Sequence, residues 1–583
     1  MPSSRFTRFL LLCGLALATM LLALWATQPR LTAAPVDATG VQGSITLPWR
    51  FSGEPANRTI RVQTRLHAPW LLGHWRIVPD DELLELRVNG QQVNLGNIPP
   101  ERLRDWNQGF GIDLSPWLKT GENSFEMRIR NDGGNGGLNL KSSPGTIALL
   151  ILALPFVIFL TALNTLLPLT AGQRCILFLT LVVLLIYWGV TPWETRAYDV
   201  GLPDGHFGYV SRVADTLAIP APNAGWTFFH PPLYYVLGAI ALRAADVLGA
   251  ARAETLQLLS LGFWLIFLSA SAASLRLCLR GKEMQLLIAT AAIALWPSGV
   301  IHSIRISNDL PAYACAALAA YFMLRWWKSR RRRALIGMTL CCVLSVLFKT
   351  SAVAIIAAGG ALLGWRVLFP GREGRHVALG RSAFFALACV AGLALSLANN
   401  ILYYLRGQLS GWMVGNTDGL DARLHVPADI KAFIPLDIPT FLTTPWTSAW
   451  DDAAGRLNFW NYLLRNSLSG EFSFNGQAQR IIALGWGAML LLLCALTLWQ
   501  LAHTLRTGSM AYRQRPLLLL AFFWLASLIS LRIQAPFSCS NDFRYIVPIL
   551  LPAVVFCVAS GRVARVMLVL IGLSSAYFFA SLQ

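Results

Sequence analysis

Residues 194–209 read E-T-R-A-Y-D-V-G-L-P-D-G-H-F-G-Y, and residues 226–235 read W-T-F-F-H-P-P-L-Y-Y. This polar stretch lies between long apolar runs and carries Glu194, Asp199, Asp204, His206 and His230. Connectors that stay on the inner side of a membrane are rich in lysine and arginine. This one is acidic and aromatic, and it is long enough to fold back on a bilayer surface. It therefore reads as an outer loop that brings chemistry to the membrane face, with helical spans on either side.

The composition names the solvent. Of 583 residues, 55% are hydrophobic and only 13% are charged, and the mean hydropathy is +0.52. Soluble chains carry roughly 25% charged residues, so this chain is an integral membrane protein. The net charge of +19 gathers in short connectors, at 328–333 (K-S-R-R-R-R), 372–381, 506–515 and 562–565. Basic residues placed this way report topology and contact with anionic headgroups; nucleic acid is excluded as a partner. Nine of the ten cysteines sit in or at the ends of apolar segments, and no C-x-x-C pair occurs. A disulfide framework or structural zinc site is not expected.

The N-terminal residues 1–28 read as an uncleaved membrane anchor with its N-terminus inside. Two arginines precede an apolar run from Phe9 to Trp25, longer than the core of a signal peptide. From 33 to 144 the periodicity changes. Ile60, Val62, Thr64 and Leu66 alternate with polar neighbours, as do Leu84, Leu86 and Val88, and Phe125, Met127 and Ile129. With the turn pair Asn89-Gly90, this predicts antiparallel strands in an all-β domain on the outer side. The strings L-R-V-N-G-Q-Q-V, D-L-S-P-W-L-K-T-G-E-N-S-F and R-N-D-G-G-N-G-G-L resemble the galactose-binding-like jelly roll found beside glycosidase catalytic domains. That resemblance implies a role in glycan binding, with Trp70, Trp75, Trp106 and Trp117 as either sugar-stacking or core residues.

The remaining chain, 146–583, is a succession of apolar runs. Spans are expected near 146–168, 175–190, 256–275, 285–301, 311–327, 334–348, 352–369, 382–402, 481–502, 517–533, 546–560 and 565–581, about thirteen with the anchor. The five basic residues in 328–333 set the inside, which puts 303–309 and the outer loops 191–230 and 403–480 on the other face. This count closes if the apolar stretch 231–249 starts and ends outside, lying along or dipping into the membrane. Its two opening prolines suit a helix start.

Three further polar groups then fall on the outer face: S-I-R-I-S-N-D with Arg305, Asn308 and Asp309; C-S-N-D-F-R-Y with Asp542, Arg544 and Tyr545; and F-K-T-S with Lys349. The long outer loop adds Arg465 and Glu471. Ionisable residues at membrane depth are costly and commonly functional.

The motifs D-G-H-F-G-Y, H-P-P-L-Y-Y, S-N-D, F-K-T-S and N-D-F-R-Y resemble those of the membrane-embedded GT-C glycosyltransferases. The likeness is to the bacterial branch of the protein O-mannosyltransferase (glycosyltransferase family 39-like) and aminoarabinose-transferase families. It covers about Thr191 to Leu551. Many relatives carry an adjacent Asp-Glu pair in the first outer loop; here Asp199 and Asp204 stand apart and Glu194 follows Trp193.

The resemblance implies a polytopic enzyme of the bacterial inner membrane with its active site on the periplasmic side. Its co-substrate is a polyprenyl-phosphate sugar, and the sugar passes with inversion to a hydroxyl on a glycan, glycolipid or protein. Asp204 is then the general base, with Asp199 as the alternative. Arg544, Lys349 and Arg305 hold the donor phosphate. His206, His230, Tyr234, Asn308, Asp309, Asp542 and Glu471 shape the site. A divalent cation, Mg or Mn, held by oxygen ligands such as Asp204 and Asp309 is compatible with these residues.

Two other functions share the lipid substrate: a lipid-linked sugar transporter or flippase, and a glycan polymerase or ligase. No internal repeat of paired broken helices, the transporter signature, is legible. A diphosphate donor calls for a larger cation cluster than the motifs supply.

Overall fold

The computed structural model describes residues 3–27, 30–35, 49–52, 57–68, 73–106, 108–133, 135–142, 146–193, 195–197, 204–370, 374–412 and 420–582. Glu194, Asp199 and Trp70 lie outside the described residues.

The first helix, Ser3–Thr27, is followed, among the described residues, by nine strands: β1 Arg30–Pro35, β2 Trp49–Ser52, β3 Arg58–Ala68, β4 His74–Asp80, β5 Glu82–Val88, β6 Gln91–Gln92, β7 Phe110–Asp113, β8 Gly121–Asn131 and β9 Asn135–Ser142. They form two sheets, in the orders β1-β3-β8-β5-β6 and β2-β9-β4-β7, with antiparallel pairing throughout. Ile60 and Val62 of β3, Phe125, Met127 and Ile129 of β8, and Trp75, Ile77, Leu138 and Leu140 of the second sheet bury into one common core. The period-two reading of β3 and β8 therefore names the inward face.

In β5 that reading slips by one residue. A register shift between Leu83 and Glu85 turns Leu83 inward and leaves Leu84 39% exposed, while Leu86 and Val88 stay buried. A bulge inserts one extra residue, so alternation before it changes face. Asn89 and Gly90 both have positive φ, as the two-residue hairpin turn between β5 and β6 requires. Trp75 is a core residue, Trp117 packs against the core, and Trp106 is exposed.

β9 ties this domain to the helices. Lys141 Nζ donates to the carbonyls of Trp188 at 2.5 Å and Thr191 at 2.9 Å and to Gln257 Oε1 at 3.3 Å. It lies 4.5 Å from the centroid of the Trp188 ring. Trp188 and Thr191 end the helix Ala171–Val190, where carbonyls lack intrahelical partners and a cation is favoured.

Among the described residues, ten helices are long and apolar enough to cross a membrane: Ser4–Thr27, Ile147–Leu166, Ala171–Val190, Arg252–Cys278, Thr350–Leu368, Arg375–Ser396, Gln477–Arg506, Tyr512–Gln534, Ser538–Ala559 and Arg562–Ala580. Three of the thirteen expected spans differ. The run 285–301 breaks into Glu283–Ala294 and Pro297–His302, because Pro297 forces Trp296 out of helical geometry. The break is supported from outside: Trp296 Nε1 and Ser298 Oγ both donate to the Ser467 carbonyl, at 2.5 and 2.7 Å. The run 311–327 becomes Asp309–Ser329, a central helix with sixteen buried residues and charged ends. The run 334–348 becomes Arg332–Phe348, only 17 residues long. The stretch 231–249 forms the 16-residue helix Leu233–Leu248, about 24 Å long and so shorter than a bilayer core of about 30 Å.

The two ends of Asp309–Ser329 differ sharply. At its C-terminal end Arg330 stacks on Trp326 and Trp327 and donates to Tyr512 Oη at 2.6 Å. At its N-terminal end, about 30 Å away, the polar motifs converge.

Candidate functional site

Asp309 opens the central helix, and Lys349 follows Phe348 at the end of the antiparallel neighbour Arg332–Phe348. Their side chains form an ion pair, Lys349 Nζ to Asp309 Oδ1, and both residues are less than a tenth exposed. Asp309 Oδ2 also accepts from Ser307 Oγ at 3.2 Å. Asn308 Nδ2 donates to the Phe348 carbonyl at 3.0 Å, fixing the residue before Lys349. Asn308 is thus a positioning residue.

A second pair comes from the irregular segment Phe543–Ile549. Asp542, fully buried, accepts the Arg544 backbone N–H at 2.9 Å and lies 3.2 Å from Arg544 Nε. Arg544 Nη2 donates to Tyr545 Oη at 3.0 Å. The Tyr545 ring is shared, with Arg544 5.0 Å and Lys349 5.1 Å from its centroid. The two cations therefore share one aromatic ring. Tyr313 of the central helix donates to the Arg544 carbonyl, locking the segment to the Asp309 helix.

Arg305 is the third cation, 8% exposed. It meets His302 Nδ1 at 3.2 Å and lies 6.0 Å from the centroid of Phe472. Beside Phe472, Glu471 accepts a hydrogen bond from Tyr462 Oη. Burial, with the Asp542 carboxylate adding to it, pushes Glu471 up to about 7, against the opposing pull of Arg544 and Arg305. Three cations thus face two ion-paired carboxylates and a third acid that titrates near neutrality. Such a cluster favours an added anion.

The acidic loop closes the other side. Asp204 Oδ2 accepts the Trp226 N–H at 2.7 Å, and its carbonyl accepts from Thr227 Oγ1 at 2.7 Å. The carboxylate so pins 204 against 226–227, where Gly225 leaves room: a Cβ there meets Asp204 Cβ at 2.7 Å. His206 Nδ1 meets Tyr235 Oη at 2.8 Å, and the His206 and His230 rings stack at 5.5 Å. Burial is the main cause that holds His230 down to about 3 and His206 well below its ordinary value, with Lys349 acting on both. The pair is neutral at physiological pH.

The structure brings Arg544, Lys349, Arg305, Asp309, Asp542, Glu471, His206 and His230 together around one end of the central helix. The two tyrosines of H-P-P-L-Y-Y have different neighbours. Tyr234 is fully buried and packs edge-on against Tyr235 at 5.3 Å; it is Tyr235 that reaches His206. Adjacent residues on a helix point about 100° apart, and both rings are buried in one cluster with Tyr209 and Phe228. His302 and Tyr462 were not anticipated: His302 follows the last residue of the expected span 285–301, and Tyr462 lies in a helix, Phe459–Ser469, within what reads as the outer loop 403–480.

The two carboxylates expected to hold a divalent ion are engaged elsewhere. Lys349 already occupies Asp309, Arg305 and Arg544 stand within electrostatic range of it, and Asp204 caps a turn. Among the described residues no three of His, Cys, Asp and Glu stand close enough to share a metal.

No protein-family model matches the chain, and no curated protein matches it. Among solved structures, the cryo-EM structure of arabinosyltransferase EmbB from Mycobacterium smegmatis aligns with 95% of this chain at 12% identity and a TM-score of 0.35. The chain spans about half, 53%, of that protein's length. A likeness of this size assigns neither substrate nor mechanism.

Proposed function

We propose that this protein is a GT-C-type membrane glycosyltransferase that moves a sugar from a polyprenyl-phosphate donor to an acceptor hydroxyl at the outer face of a bacterial inner membrane. One observation carries the reading. Arg305, Lys349 and Arg544, from three separate segments, converge with Asp309, Asp542 and Glu471 at one end of the helix bundle, beside the acidic loop.

In this reading the acceptor oxygen attacks the anomeric carbon while the bond from that carbon to the donor phosphate oxygen breaks, with inversion. The leaving phosphate changes from a diester monoanion to a monoester. The growing charge falls among Arg305, Lys349 and Arg544, where fixed cations in a water-poor site are most effective. No general acid is needed for such a leaving group. The acceptor proton goes to a carboxylate, a role that contributes about 10²–10⁴-fold in rate. Asp204 takes that role, with Asp199 as its alternative in the loop. Glu471, near neutrality and beside Arg305 and Arg544, is the competing acceptor. The neutral His206 and His230 stand beside the cations without adding charge. The N-terminal β domain is a galactose-binding-like module for a carbohydrate acceptor, an inference by analogy with its resemblance.

The test is direct. Purified protein is incubated with a radiolabelled polyprenyl-phosphate sugar and envelope extract, and label is sought on glycan, lipid and protein fractions. Transfer that disappears on heat inactivation supports the reading; label that stays on the donor under every acceptor condition removes it.

A further inference from the structure

A second cationic site lies away from the Lys349 cluster, where the β domain meets the helices. Arg76 of β4, Arg102 and Arg196 line a cavity of about 280 Å³ between the two. Arg196 is 6% exposed, its plane lies 4.1 Å from the centroid of Phe474, and its buried Nε has no hydrogen-bond partner. Arg76 Nη1 donates to the Gln108 carbonyl at 3.0 Å, and Arg196 Nη2 reaches Gln108 Oε1 at 3.4 Å. The nearby carboxylate, Asp105, pairs with Arg102 at 3.2 Å. Burial and then the repulsion of Arg196 and Arg102 draw Arg76 down to about 10, against the pull of Asp105; among the described residues the cavity lining carries three guanidiniums and no carboxylate.

A larger cavity of about 750 Å³ adjoins it and shares Arg76, Gly111 and Val190 as lining. Its far wall is aliphatic, with Leu149, Leu150 and Ala153 from one span and Val182, Leu185 and Ile186 from the next. Leu150 and Val182 are more than half exposed. A cationic end that continues into an aliphatic groove between two spans matches one kind of molecule, an amphiphile with an anionic head. Free phosphate would fill the head pocket and leave the groove unused.

We propose that this junction binds an anionic phospholipid, its phosphate held by Arg76, Arg102 and Arg196 and one chain laid in the groove between Ile147–Leu166 and Ala171–Val190. The site adjoins the Glu471 segment: Gln108 Nε2 donates to the Ser473 carbonyl at 3.1 Å, and Phe474 lies under Arg196. Bound lipid thus braces the loop that carries Glu471. The binding itself does not depend on the proposed transfer reaction.

The test uses the full chain, stripped of lipid in detergent. Thermal unfolding and native mass spectrometry are followed with dioleoyl-phosphatidylglycerol, dioleoyl-phosphatidylcholine or inorganic phosphate. The anionic lipid should raise the melting temperature and appear as a bound adduct, while phosphatidylcholine should not. Arg76→Gln and Arg196→Gln should each weaken its binding about five-fold, as expected for one cation at a lipid surface. If an arginine variant fails to fold, Ala153→Trp decides, because it fills the groove and leaves the cations in place. It should abolish the lipid adduct. Equal response to both lipids, equal stabilisation by inorganic phosphate, or an unchanged adduct in Ala153→Trp would each overturn the proposal.

Discussion

Lys349→Met removes the counter-charge of Asp309 while keeping the length of the aliphatic stem. Asp309 is 4% exposed, and the other cations within range, Arg305 and Arg544, are engaged by His302 and Asp542. Removing one partner of a buried pair strands a charge and destabilises by about 3–5 kcal/mol. Unfolding is followed by labelling of the buried free thiols Cys315, Cys341 and Cys342 on warming, because they lie in the two helices that carry the pair. Sugar transfer should fall about 10²–10³-fold, the usual loss on deleting one preorganised charge partner of a developing anion.

The double variant Asp309→Asn/Lys349→Met separates scaffold from function. With no stranded charge it should regain most of the lost stability. Transfer should remain depressed, because the cation has not returned. Recovery of transfer in the double variant would show that the pair is only a brace. A single variant as stable as wild type would refute the energetic reasoning.

Glu471 gives a pH signature. Its folded value of about 7 lies above the ordinary carboxyl range, so the folded state holds a proton that the unfolded state releases. Its contribution to stability is therefore present at low pH and lost as pH rises towards 7. Glu471→Gln should match wild type in melting near pH 5 and exceed it at pH 8; an unchanged difference across that window would contradict the assignment. Arg544→Lys should reach the membrane at normal levels but raise the donor KM about ten-fold through loss of a charge-assisted hydrogen bond, as read in steady-state kinetics. Asp204→Asn preserves the acceptor oxygen for the Trp226 N–H and so the turn, yet should lower transfer by at least about 10²-fold with donor binding intact. Full activity in that variant would pass the role to Asp199 or Glu471. For topology, a cysteine at the exposed Ile430 should react with an impermeant thiol reagent in intact cells, and one at Ser329 should not.

The sequence made much of this arrangement legible because two signals are local. Period-two burial of Phe125, Met127 and Ile129, with the positive φ of Asn89 and Gly90, needs no knowledge of the partner strand. Polar motifs at the ends of apolar runs share a face once the basic connector at 328–333 sets the phase, and Asp309, Lys349 and Arg544 do meet there. Features that depend on non-local packing were not legible. The bulge that turns Leu84 outward is a property of its pairing with β8. Glu471 draws its character from burial and from Asp542, some seventy residues away. The arginine cavity joins residues 76, 102 and 196, and no spacing within any one segment betrays it.

The central claim is that the Lys349–Arg544 cluster transfers sugar rather than carrying lipid across the bilayer. Protein reconstituted in vesicles, with radiolabelled polyprenyl-phosphate sugar and envelope acceptor supplied on the same face, separates the two. The account predicts that label leaves the lipid and becomes covalently attached to acceptor, and that Lys349→Met abolishes this without changing reconstitution. Intact labelled donor accumulating in the opposite leaflet, with none on acceptor, would contradict it.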